Sequence, residues 1–88
     1  MNREAVLSSL GIGDILCISR VDGEAAIKQR LYDIGIVKGT VVKCIAVSPL
    51  GDPKAYEIRG AVIALRARDA DNIYGIIDRA DKTPEVLL

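Results

Sequence analysis

The sequence predicts a mainly β domain, a small barrel of about five strands with one inserted α-helix. Three observations predict it. Glycines at 11, 13, 23, 35, 39, 51, 60 and 75 cut the chain into pieces of strand or short-helix length. Most of these pieces are rich in β-branched residues, and only one carries a helical period. An open sheet of five short strands would leave its edges unpaired, whereas closure with the helix plugging one end hides them.

The elements follow in order. Residues 15–20 form the first expected strand, with Leu16 and Ile18 inward and Cys17 on the opposite face. The helix is expected over 24–34, where Ile27, Leu31 and Ile34 recur at steps of four and three and make one apolar stripe. Asp22 is placed to serve as N-cap, and Gly35 stands where a left-handed residue ends the helix, bringing Ile36 onto Leu31. Strands are expected over 40–47, 55–59 and 61–67. Parity sends Val42, Cys44, Ala46, Tyr56, Ile58, Ile63 and Leu65 inward and leaves Lys43, Glu57, Arg59 and Arg66 in solvent. Arg59-Gly60 marks a tight hairpin. Asp69 is expected to cap a single turn running to Ile73, and Ile76-Ile77 a short last strand. The domain is expected to span residues 1–78, with 79–88 a flexible tail.

Composition excludes several function classes. Twelve Lys and Arg balance twelve Asp and Glu among 88 residues, so there is no electrostatic footprint for nucleic acid or an anionic membrane. The chain lacks His, Trp and Phe, and its three Tyr offer few platforms for stacking bases. Without His, the commonest general base and metal ligand are missing, and no base and nucleophile pair suggests an enzyme. Cys17 and Cys44 form no CxxC pair, which argues against a zinc ribbon or a thioredoxin-like motif and fits a reducing cytoplasm. No apolar run approaches the ~20 residues of a membrane span.

The run Arg30-Leu31-Tyr32-Asp33-Ile34-Gly35-Ile36, then Gly39-Thr40, Ser48-Pro49-Leu50-Gly51-Asp52-Pro53, Tyr56-Glu57-Ile58-Arg59-Gly60 and Ile63-Ala64-Leu65-Arg66, with Ala70 and Ile73 beyond, resembles the ferrous iron transport protein A (FeoA) family. With Leu7, Leu10 and Gly13 the resemblance extends from residue 7 to about 78. Relatives often carry Pro where this chain has Lys38 and Glu where it has Asp69. The resemblance implies an SH3-like β-barrel, not an enzyme. It implies a small cytoplasmic partner of the GTPase-containing membrane ferrous iron transporter (FeoB-like), recruited to the membrane's inner face without inserting. A similar domain also ends iron-dependent repressors, so the alternative is a metal-responsive regulatory or oligomerisation domain. Since no DNA-binding helices precede it here, the free-standing reading is the one expected.

The candidate sites follow from both readings. Gly35, Gly39, Pro49, Gly51, Pro53 and Gly60 are expected to shape turns. Leu50 and Asp52, in a turn stiffened by two prolines, and Tyr32, opposite the apolar stripe of the helix, are the first candidates for partner contact. Lys43, Arg59 and Arg66 are the second. Residues 20–68 hold nine basic and five acidic side chains, a net of +4, against two and five over 69–88, a net of −3. No catalytic residue and no cofactor are expected. Cys44 reads as a core hydrophobe, two thiols make an incomplete tetrahedral site, and Asp69, Asp71 and Asp78 lack the density of a calcium loop. These thiols and carboxylates still allow a weak or transient Fe2+ contact.

Overall fold

The computed structural model describes residues 4–78. The expected tail at 79–88 lies outside the described residues. The elements run β1 (Glu4–Val6), a single 3-10 turn (Leu7–Ser9), β2 (Ile15–Val21), α1 (Ala25–Asp33), β3 (Val41–Val47), β4 (Lys54–Ile58), β5 (Ala61–Leu65), α2 (Ala67–Ala70) and β6 (Ile73–Asp78). Six antiparallel strands form one sheet in the order β1-β6-β2-β3-β4-β5. The architecture is the expected mainly β one, with a sixth strand added. β1 has three residues and pairs with β6, about seventy positions away, through Glu4↔Ile76, Ala5↔Gly75 and Val6↔Tyr74.

The alternation read from the sequence places the core. Leu16 and Ile18, Val42 and Cys44, Tyr56 and Ile58, Leu65, and Ile73 and Ile77 are buried, joined by Leu7, Leu10, Leu31, Ile36 and Ala70. Ala46 departs from that reading and is exposed. The ladder shifts from Cys44↔Tyr56 to Ala46↔Ala55, so β3 carries one extra residue, a β-bulge that turns Ala46 outward. The last strand is also longer than Ile76-Ile77, because β6 starts at Ile73 and pairs on both sides, with β1 and β2.

Helix α1 ends as its sequence requires. The Ile36 N–H donates to the Leu31 carbonyl and the Gly35 N–H to the Tyr32 carbonyl, each at 3.0 Å, with Gly35 at φ +100°. This is the Schellman pattern, and it delivers Ile36 and Leu31 together into the core. The start is different. Glu24, extended and without a side-chain bond, is the N-cap, while the Asp22 carboxylate is taken by Arg20. The helix begins at Ala25, so Asp22 stands two positions before the N-cap and does not reach it. Asp69 likewise lies inside α2 instead of capping it and pairs with Arg30, while Ile73 belongs to β6.

The hydrogen-bonded ladder ends at β1 and β5, and side chains tie β4 and the segment after α2 to the turn that follows β1. The Lys54 Nζ donates to the carbonyls of Ser8 and Leu10, both at 2.7 Å, and the Ser8 hydroxyl donates to the Asp71 carboxylate. Arg59 and Gly60 both adopt positive φ, 52° and 84°, as the two central residues of a type I′ hairpin do.

Candidate functional site

The loop between β3 and β4 is held by its own hydrogen bonds. Gly51 N–H donates to the Ser48 carbonyl at 2.8 Å, and Ser48 N–H to the Pro53 carbonyl at 3.2 Å. Leu50, at the tip of this closed turn, is 94% exposed. Asp52 turns back, and its carboxylate accepts the Ala67 N–H at 2.8 Å, the first amide of α2. The loop therefore supplies from outside the cap that α2 lacks in its own sequence. The Arg30 guanidinium donates to Asp69 of the same short helix at 2.8 Å, so α2 is tied to both the loop and α1.

These contacts group the candidates. Asp52, Arg66 and Arg68 surround a polar, open depression of about 270 Å³. Tyr32, 63% exposed, borders a second depression of about 330 Å³ with Ala25, Lys28 and Gln29, shallow, wide open and mostly apolar, on the face of α1 turned away from Leu31. Lys43 lies elsewhere, on the outer face of the sheet, in register with Ile15 and Glu57. Arg59 stands at the β4–β5 hairpin. Gly39 and Gly51 take positive φ at their turns, and the Asp52–Pro53 bond is cis. Pro49 is exposed beside Leu50 and Pro53 half-buried.

The thiols face opposite sides of the sheet. Cys44 is buried and burial pushes its thiol up, although the nearby Lys54 charge opposes this. Cys17 is exposed. Among the described residues no three Cys, Asp or Glu side chains gather where they could hold a metal ion, and no helix is long and apolar enough to cross a membrane. Asp69 and Asp71 are engaged by Arg30 and Ser8. Sequence reasoning missed Lys54, whose clamp on two carbonyls has no local signal, and Arg20, which stacks 4.0 Å over the Tyr74 ring.

Asp52 thus has a structural duty that can be measured apart from any partner. Asp52→Ala is expected to lower stability by ~0.5–2 kcal/mol through the lost cap, and Asp52→Asn by less. Thermal melts of the two variants check this, and equal melts for Asp52→Ala and the parent chain would show that α2 needs no cap from the loop.

The family model described as the FeoA domain matches residues 6–76. A Porphyromonas gingivalis protein described as a fusion of Fe(2+) transport protein A and the Fe(2+) transporter FeoB is 36% identical over 67 residues, 76% of this chain. The match covers 8% of that relative's own length. The solution structure of a FeoA protein from Chlorobium tepidum is 30% identical with a TM-score of 0.75, covering 96% of this chain and 81% of that one. A zinc-complexed FeoA from Stenotrophomonas maltophilia, described as a prokaryotic SH3 domain protein, is 28% identical with a TM-score of 0.75, covering 88% of this chain and 99% of that one. Among the described residues the six-stranded antiparallel sheet with its nine-residue helix is thus the SH3-like architecture, and the chain belongs to the FeoA domain family.

Proposed function

We propose that this chain is an accessory module of ferrous iron transport that binds the GTPase-bearing cytoplasmic part of a ferrous iron transporter and modulates it. The observation that carries the reading is the relative in which an Fe(2+) transport protein A and FeoB are one polypeptide. Fusion holds two modules at high effective concentration, which is useful where they act on each other. The described surface suits docking. Leu50 projects from a turn held by its own hydrogen bonds, and Tyr32 lines an apolar depression on α1, so neither needs to be ordered at large entropic cost on binding. Arg66 and Arg68 beside Asp52 add a polar rim.

Calorimetric titration of the soluble GTPase portion, in each nucleotide state, tests the reading. Leu50→Asp combined with Tyr32→Ala is expected to leave the melt unchanged, because both side chains are exposed. Binding is expected to weaken by roughly thirtyfold, the scale of a ~2 kcal/mol hot spot. No binding by the parent chain in any nucleotide state would overturn the proposal. Unchanged binding by the variant would move the interface away from Leu50 and Tyr32.

A further inference from the structure

The outer face of the three strands β6, β2 and β3 carries an ordered pattern that the proposed docking of Leu50 and Tyr32 does not use. One row across the sheet reads Ile76, Cys17, Val41, since Cys17 is in register with both neighbours. All three are exposed, Val41 by 54% and Ile76 by 39%. The next row reads Asp78, Ile15, Lys43, again through a single residue of β2. Apolar groups therefore run along the middle, with an acid on the β6 side and a base on the β3 side. Asp78 and Lys43 are two strand spacings apart, ~10 Å, and among the described residues neither forms an ion pair.

This arrangement is complementary to itself. A twofold axis lying parallel to β2 and passing above Cys17 exchanges the β6 and β3 columns and leaves each row in place. Ile15 and Cys17 then meet their own copies, Ile76 meets Val41, and Asp78 meets Lys43, twice. Two sheets packed at the usual ~10 Å leave a span that a lysine side chain bridges. A partner of one charge sign would find an attractive group on one side of β2 and a repulsive one on the other. We propose that this face is an isologous interface between two copies of the chain, centred on Ile15 and Cys17 and locked in register by reciprocal Lys43–Asp78 ion pairs. The same charges favour this register over a slipped one, since a shift places like charges or unpaired charges against apolar residues.

Charge-swapped variants test it by sedimentation. Lys43→Asp and Asp78→Lys are each expected to weaken self-association roughly tenfold or more, because each creates two like-charge contacts. An equimolar mixture of the two variants is expected to restore association as a heterodimer, in which both contacts are again opposite in sign. That rescue requires folded protein, so misfolding cannot imitate it. A short bismaleimide is expected to link the parent chain into a dimer through Cys17, and the link is expected to disappear in Cys17→Ser and to fall in Lys43→Asp. A parent chain that stays monomeric at millimolar concentration, single variants that associate as well as the parent, or a mixture no better than its components would each overturn the proposal.

Discussion

Gly75→Val is expected to abolish cooperative folding, and Gly75→Ala to lower the melting temperature by at least ~10 °C. The reason is space. A Cβ at this position would lie 2.2 Å from the Cys17 carbonyl oxygen, 2.8 Å from its carbonyl carbon and 2.9 Å from Leu16 Cγ. The obstructing atoms are mostly backbone, held on β2 between the β6 and β3 ladders, and β6 is itself paired with β1 on its other side. Relief would require opening a sheet in its middle. Overpacking of a core ordinarily costs ~1–3 kcal/mol where side chains can give way. Here the backbone must move, in a domain whose whole stability at ~0.05–0.15 kcal/mol per residue is of order 4–11 kcal/mol. A Gly75→Ala melt within about two degrees of the parent chain would show that the β2–β6 approach is looser than described, since 1 kcal/mol moves a domain of this size by ~4–8 °C.

Tyr56→Ala is expected to cost ~3–5 kcal/mol, as truncation of a buried aromatic ring does. Tyr56 on β4 is 1% exposed and the largest fully buried side chain among the described residues. Its phenol points toward the Leu7 carbonyl at 3.5 Å, a long contact, so Tyr56→Phe should cost far less than Tyr56→Ala. The phenol adds a pH dependence. Burial, first, and then the neighbouring Cys44 raise its pKa well above the ordinary tyrosine range. In the unfolded chain the proton leaves near pH ~10, whereas the folded state retains it. The raised pKa thus leaves stability intact below pH ~10 and removes it progressively above that, because only the unfolded state gains by deprotonation. Cys44, raised by burial in the same core, acts in the same direction at somewhat lower pH. Denaturant melts between pH 8 and 11 check this: the alkaline loss should be shallower in Tyr56→Phe. An identical slope in both chains would remove Tyr56 from the account.

The alternation of Val42 and Cys44, and of Tyr56 and Ile58, was readable from the chain because strand parity depends on nothing beyond neighbouring residues. The same holds for the end of α1, where Gly35 and the Leu31 to Ile36 pair carry a complete local instruction, and for the Arg59-Gly60 hairpin. The exposed candidates Tyr32 and Leu50 were legible for a related reason. A position opposite an apolar stripe, or at the tip of a proline-bracketed turn, has its exposure set within one helix turn or one loop.

What only the tertiary structure decided involves atoms distant in sequence. Asp52 became the cap of α2 across fifteen residues, and Arg30 of α1 reached Asp69 of α2 across thirty-nine. Ala46 lost its inward place to a bulge against β4, and three residues too few to read as a strand became β1 by pairing with β6. Lys54 ties β4 to the turn after β1 through carbonyls that no pattern marks as acceptors. Gly75 reads in the chain as one more interruption of an apolar run. Its necessity comes from the Cys17 carbonyl, which stands 2.2 Å from where a Cβ would be. Local propensity fixes φ, ψ and parity residue by residue, whereas long-range pairing chooses which backbone comes to lie against which, and no window of neighbouring residues contains that choice.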